Sequence, residues 1–191
     1  MEQIIAAIIG GFLAAGTGWL LEGRKEQLRL QKSKKLLTTS ICDDLNHSLS
    51  LYDKVQEEWD KTKIIWFSTL NELKESRQTY INNKDWIVIF EEEKIRKRIF
   101  QYYLRSAEVI SLLEFRQKRK YELENKYNDL VRDIKFKDPS LSDEDVRKNA
   151  LSYMASESAE YDNLLVIIPE TVTKLGRFKA EAESLHAMLS S

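Results

Sequence analysis

The chain has 191 residues, of which 30 are Lys or Arg and 31 are Asp or Glu, for a net charge of −1. Charges so evenly balanced leave no global field to attract nucleic acid, and a single cysteine, Cys42, excludes an intrachain disulfide and suits a reducing compartment. Only two prolines and six glycines occur, and Gly10, Gly11, Gly16 and Gly18 all fall before residue 22, so the rest of the chain is almost free of helix breakers and predicts an all-α fold.

The first predicted element is a membrane-spanning helix over residues 4–21, which carry no charge. At about 1.5 Å per residue such a helix reaches about 27 Å, against a hydrocarbon core of about 30 Å. Trp19 lies near its C-terminal end, at the level where aromatic rings favour lipid headgroups. A basic neck follows at once: Arg24, Lys25, Arg29, Lys32, Lys34 and Lys35. Only Glu2 precedes the span, so the positive-inside rule places the N-terminus outside and the remainder in the cytoplasm, with the inner membrane as the expected location. A cleaved signal peptide would carry Lys or Arg ahead of the apolar stretch, and there is none. The neck serves as topology signal and contact with anionic lipid.

Small residues are segregated within the span. Ala6, Gly10, Ala14 and Gly18 form one ridge, and Ala7, Gly11 and Ala15 form a second beside it. Lipid gives helices no hydrophobic reason to associate, whereas small residues permit close backbone approach. The ridges therefore predict self-association into a homo-oligomer. Two adjacent ridges would also allow a closed ring.

The neck occupies residues 23–36, and the helical cytoplasmic domain residues 37–191. The spanning helix is expected to continue into this domain, with Leu37, Ile41, Leu45, Leu49, Tyr52, Val55 and Trp59 as its apolar stripe. It would run on to about Arg77, with a kink at residues 61–63. Residues 79–85 read as a turn, and residues 86–90 as a hydrophobic loop or first helical turn docked on the core. A long helix is predicted from about 91 to 135, with a stripe that thins over residues 116–120, where it would project past its partner. Asp138, Pro139 and Ser140 end it. Ser142 then caps a new helix, with Asp145 three residues on, and Asp143 and Glu144 favour its positive end. Pro169 would break the chain and open the last helix. The whole is a cytoplasmic bundle of four or five helices on a membrane stalk.

No catalytic constellation emerges. His47 and His186 have no HExxH or CxxC context, so neither a metal nor a cofactor is expected. Cys42 and His47 lie about 140° apart on one helix, which separates nucleophile from base. Asp43 with Asp44, and Glu91 to Glu93, read as solvated helix faces, and no glycine-rich phosphate loop occurs. The neck lacks the aromatic interleaving of a nucleic-acid groove. One cationic cluster, Lys94, Arg96, Lys97, Arg98 and Arg105 beside Tyr102, is a candidate patch for a phosphate-bearing ligand or a partner; the competing reading is a solvated face paired with Glu91–Glu93.

Two blocks carry a resemblance. One is the Gly/Ala-rich span, the basic neck and the stretch LLTTSICDDLNHSLSLY. The other is Trp86 followed by Ile99-Phe100-Gln101-Tyr102-Tyr103 and Val109-Ile110. Over roughly residues 4–113 the chain resembles a loose group of small single-pass prokaryotic membrane proteins with helical cytoplasmic domains, mostly uncharacterised. The resemblance implies the same architecture and a bacterial or archaeal origin, and it supplies no active site. The expected function is a non-enzymatic, self-associating interaction or scaffold module that holds a cytoplasmic protein partner at the membrane. The alternative is an oligomeric membrane effector, for example in antiphage defence, whose helical domain senses a ligand such as a nucleotide.

Overall fold

The computed structural model describes the backbone of residues 2–190 and the side chains of residues 22–190. Among these the chain is all-helical: α1 (Glu2–Thr62), α2 (Phe67–Glu75), α3 (Gln78–Asn83), a 3-10 turn (Lys84–Ile89), α4 (Glu93–Lys137), α5 (Asp143–Tyr153) and α6 (Ala155–Ser190). No helix among the described residues is long and apolar enough to cross a membrane. The expected span at residues 4–21 and its packing residues Ala6, Ala7, Gly10, Gly11, Ala14, Ala15 and Gly18 lie outside the residues whose side chains are described.

Four corners make up the bundle. Helix α1 packs against α6, α6 against α4, α4 against α2, and α2 with α3 returns to α1. Cross-links fix the directions. Cys42 meets Ser190 and Asp53 meets Lys179, so α1 and α6 are antiparallel. Arg98 meets Ser184 and Arg119 meets Glu160, so α4 and α6 are antiparallel too. The buried seams repeat at three- and four-residue steps: Leu37, Ile41, Leu45, Ser48, Tyr52 and Val55 on α1, and Leu164, Ile168, Val172, Leu175, Phe178, Ala182 and Leu185 on α6. That spacing keeps one face turned to a neighbour over many turns, as in antiparallel bundles.

The core starts at Leu37, and residues 22–36 form a stalk of α1 that is largely solvent-exposed. At about 1.5 Å per residue this stalk is roughly 22 Å long. Beyond Thr62, where α1 stops, the far half of α4 continues with α5 and the start of α6 as a three-helix distal lobe.

Four expectations need correction. Helix α1 does not kink at residues 61–63 and run on: it ends at Thr62, because Lys63 takes a left-handed φ of 56° that no helix continues through. The stop is built from side chains. Glu58 accepts from the Trp66 N–H at 2.9 Å and from the Thr69 hydroxyl at 2.6 Å, so a carboxylate of α1 ties down the start of α2. Residues 79–85 are not a plain turn but α3 running into the 3-10 turn, of which Ile87 is buried while Trp86 and Val88 face solvent. Pro169 opens no helix; it sits inside α6, and the break falls earlier, at Met154. Leu164, Ile168, Thr171 and Val172 bury on both sides of Pro169 and hold the helix together across it. The Ser142 cap is as expected: its hydroxyl accepts from the Asp145 N–H at 3.1 Å.

Residues 116–120 do not project past a partner. Gln117 is buried, and its side-chain amide brackets the backbone of Ile65, accepting from N–H at 2.9 Å and donating to C=O at 3.1 Å. Arg116 donates to the Ile167 carbonyl at 3.3 Å and to the Thr171 hydroxyl. The apolar stripe thins there because polar side chains satisfy a loop and a neighbouring helix.

Candidate functional site

The cationic cluster does not form one surface patch with Tyr102. Tyr102 is buried in the core and faces away from any surface patch. Lys97 pairs with Glu93 at 2.6 Å, as the solvated-face reading expects. Arg96 turns back to donate to the Phe90 and Glu91 carbonyls at 2.5 and 2.7 Å, closing the loop ahead of α4. Arg98 donates to Ser184 at 2.9 Å, and Arg105 pairs with Glu181 at 3.5 Å while lying over the Phe178 ring. These cations staple α4 to α6 and to its own entry loop. The neck residues Arg24, Lys25, Arg29, Lys32 and Lys35 are exposed along the stalk, and Lys34 is partly covered.

Where α1, α2–α3 and α4 meet, the structure instead gathers a buried polar cluster. The Tyr52 and Tyr102 hydroxyls bond at 3.1 Å across the bundle, and those of Ser48 and Ser76 at 2.9 Å. The Tyr80 ring stacks on Tyr103 with centroids 4.3 Å apart, and Tyr103 meets Tyr102 edge-on at 5.1 Å. Thr79 donates to Asp44 at 2.8 Å, joining α3 to α1. Seam positions supply the two ends of this cluster, Ser48 and Tyr52 from α1 and Tyr102 and Tyr103 from α4, while the sharp break at Ser76 turns Arg77, Thr79 and Tyr80 inward from the third side.

Burial dominates its electrostatics. It pushes the Tyr52 and Tyr103 phenols well above their ordinary range and raises that of Tyr102, so all three stay protonated. It lowers the Arg77 guanidinium, and it raises the Asp44 carboxyl against the pull of hydrogen bonds from Thr79 and Tyr80. Three buried polar atoms, Asp44 Oδ2, Arg77 Nε and Tyr103 Oη, find no hydrogen-bond partner among the described residues. Such atoms carry a desolvation penalty of about 1–3 kcal/mol each. The cluster fixes the register of α2–α3 against the long helices and leaves that corner under-satisfied. Sequence reading missed it, because Tyr52 and Tyr102 counted as apolar stripe and Asp44 as a solvated acid. A Tyr-Tyr pair at a seam position on α4 was the one available signal.

The residues considered for catalysis stay apart. Burial pushes the Cys42 thiol up, away from the reactive thiolate, and its sulfur sits 3.9 Å from Ser190 Oγ. His47 is exposed on another face of α1. Glu183 and His186 do share an ExxH spacing on α6, but no group of three or more His, Cys, Asp or Glu among the described residues could hold a metal ion. Comparison with protein-family models, with curated proteins and with solved structures returns no match for this chain.

Proposed function

We propose that the protein is a membrane-anchored, self-associating helical scaffold without catalytic activity, which holds a cytoplasmic protein partner at the inner membrane. One observation carries the reading: α1 runs unbroken from the charge-free stretch at residues 4–21, through the basic neck, into the bundle, where it forms one corner. An anchor and a domain that share one helix have no flexible linker between them, so assembly of the anchors would arrange the bundles. The small-residue ridges supply the contact face within the membrane. The lipid bilayer, further copies of the chain and a cytoplasmic protein are the partners on this reading.

Cross-linking of the full-length chain in membranes tests it. Oligomers are expected for the wild type, and Gly10→Ile or Gly18→Ile should reduce them to monomer. A strictly monomeric wild type overturns the proposal.

A second reading, a signal-triggered membrane effector, draws support from the under-satisfied α2–α3 corner, which a signal could release. It requires that expression depolarise cells or arrest growth when the signal is present; membranes that stay tight under every trigger sink it.

A further inference from the structure

The distal lobe contains a groove that neither reading uses. It lies between α4, α5 and the start of α6 and encloses about 490 Å³. Volumes of this size suit a small organic ligand. Leu123 and Met154, both almost fully buried, form its floor, and the Tyr127 and Tyr161 rings line its walls.

Every charged residue lining the groove is acidic: Glu124, Glu157 and Asp162. Two cations hold the first two from outside, Lys120 on Glu124 at 3.0 Å and Lys126 on Glu157 at 2.5 Å. Tyr161 donates to Glu124 at 2.9 Å. One carboxylate oxygen is left over. Glu157 Oε2 is buried and accepts no hydrogen bond from any described residue. A carboxylate oxygen only accepts, so the missing partner is a donor, and a charged donor makes the stronger bond. An anionic ligand such as a nucleotide would face three carboxylates and no cation inside the groove. A cation would also find two tyrosine rings, Tyr127 and Tyr161, in the lining.

We propose that this groove binds a small organic cation, an apolar or aromatic body carrying one protonated amine, with the amine on Glu157 and the body on Leu123, Met154 and the two tyrosines. The site is independent of the anchor and of self-association.

The chain has three methionines, and among the described residues only Met154 lines the groove, which makes the test direct. Full-length protein in zwitterionic micelles, labelled with 13C at the methionine methyls, is titrated with tryptamine. The Met154 methyl should shift and saturate while Met1 and Met188 stay still. Indole-3-acetate, with the same ring and the opposite charge, should leave Met154 unmoved. Glu157→Gln should weaken tryptamine about tenfold or more, and Asp162→Asn, on the exposed rim, should weaken it several-fold with the fold intact. No saturable Met154 shift, an equal response to indole-3-acetate, or unchanged affinity in both variants overturns the proposal. So does a stronger response to a blocked lysine amide than to tryptamine, since the occupant would then be a protein side chain.

Discussion

Gln117 shows how a polar residue can belong to a core. Its amide makes both backbone hydrogen bonds of Ile65, the residue that follows the left-handed turn out of α1. Gln117→Ala leaves a buried N–H and C=O unpaired and should lower unfolding stability by about 2 kcal/mol or more, read from the denaturant midpoint. The tyrosines of the polar cluster should separate by the same logic. Tyr103→Phe removes a hydroxyl that has no partner among the described residues and should be neutral or stabilising by up to about 1 kcal/mol, whereas Tyr52→Phe removes the bond between the two hydroxyls and should destabilise by about 1 kcal/mol. Asp44 predicts a pH dependence. Burial raises its carboxyl above the ordinary 3.8, so the folded state holds its proton more tightly than the unfolded chain does. Stability should therefore fall as pH rises from that ordinary value through the raised one, and Asp44→Asn should flatten this part of the profile. Periodicity counts apolar residues, so it could not see Gln117 or Asp44: one serves a distant loop, and the other is half-buried by a segment that arrives from elsewhere in the chain.

The long helices were legible because their seams repeat in sequence. Leu37 to Val55 and Val172 to Leu185 fall where the apolar pattern puts them, and the Ser142 cap follows from local chemistry alone. Breaks were harder, since tertiary contacts decide them. Lys63 has no special signal; it adopts φ 56° where Glu58 and Gln117 tie down Trp66 and Ile65 just beyond it. Lys63→Gly should relieve the left-handed strain and raise stability by about 1 kcal/mol, less what is lost with the contact of its ammonium over the Trp59 ring. Pro169 misled in the opposite sense. Its local preference to end a helix is overridden by burial on both sides, so Pro169→Ala, which restores an N–H donor to the helix, should raise the denaturant midpoint by about 1–3 kcal/mol in stability. A loss of stability would show that the proline sets a bend the bundle needs.

Across the whole molecule the sequence pattern delivers an all-helical bundle, yet it is silent on how the corners meet. That arrangement rests on long-range pairs such as Tyr52 with Tyr102 and Ser48 with Ser76, whose partners no local window contains. The distal groove escaped for the same reason: its acids come from two different helices, α4 and α6, with α5 between them in the chain. The stalk, by contrast, was legible as a run of charge on an uninterrupted helix. Because it is helical throughout, it behaves as a shaft with a phase. On the proposed function, each residue inserted between Gly23 and Leu36 would turn the bundle about 100° relative to the proposed anchor and lift it about 1.5 Å. Two inserted residues would swing it to the opposite side, whereas seven would return it to within about 20° of its original heading, only higher. Disulfide trapping through Leu36→Cys, an exposed position, should therefore survive the longer insertion and fail with the shorter one. Equal trapping in both would show that the shaft slips. In the proposed assembly the direction each bundle faces is thus written as a residue count, and a change in length far from any contact surface would re-aim all of them.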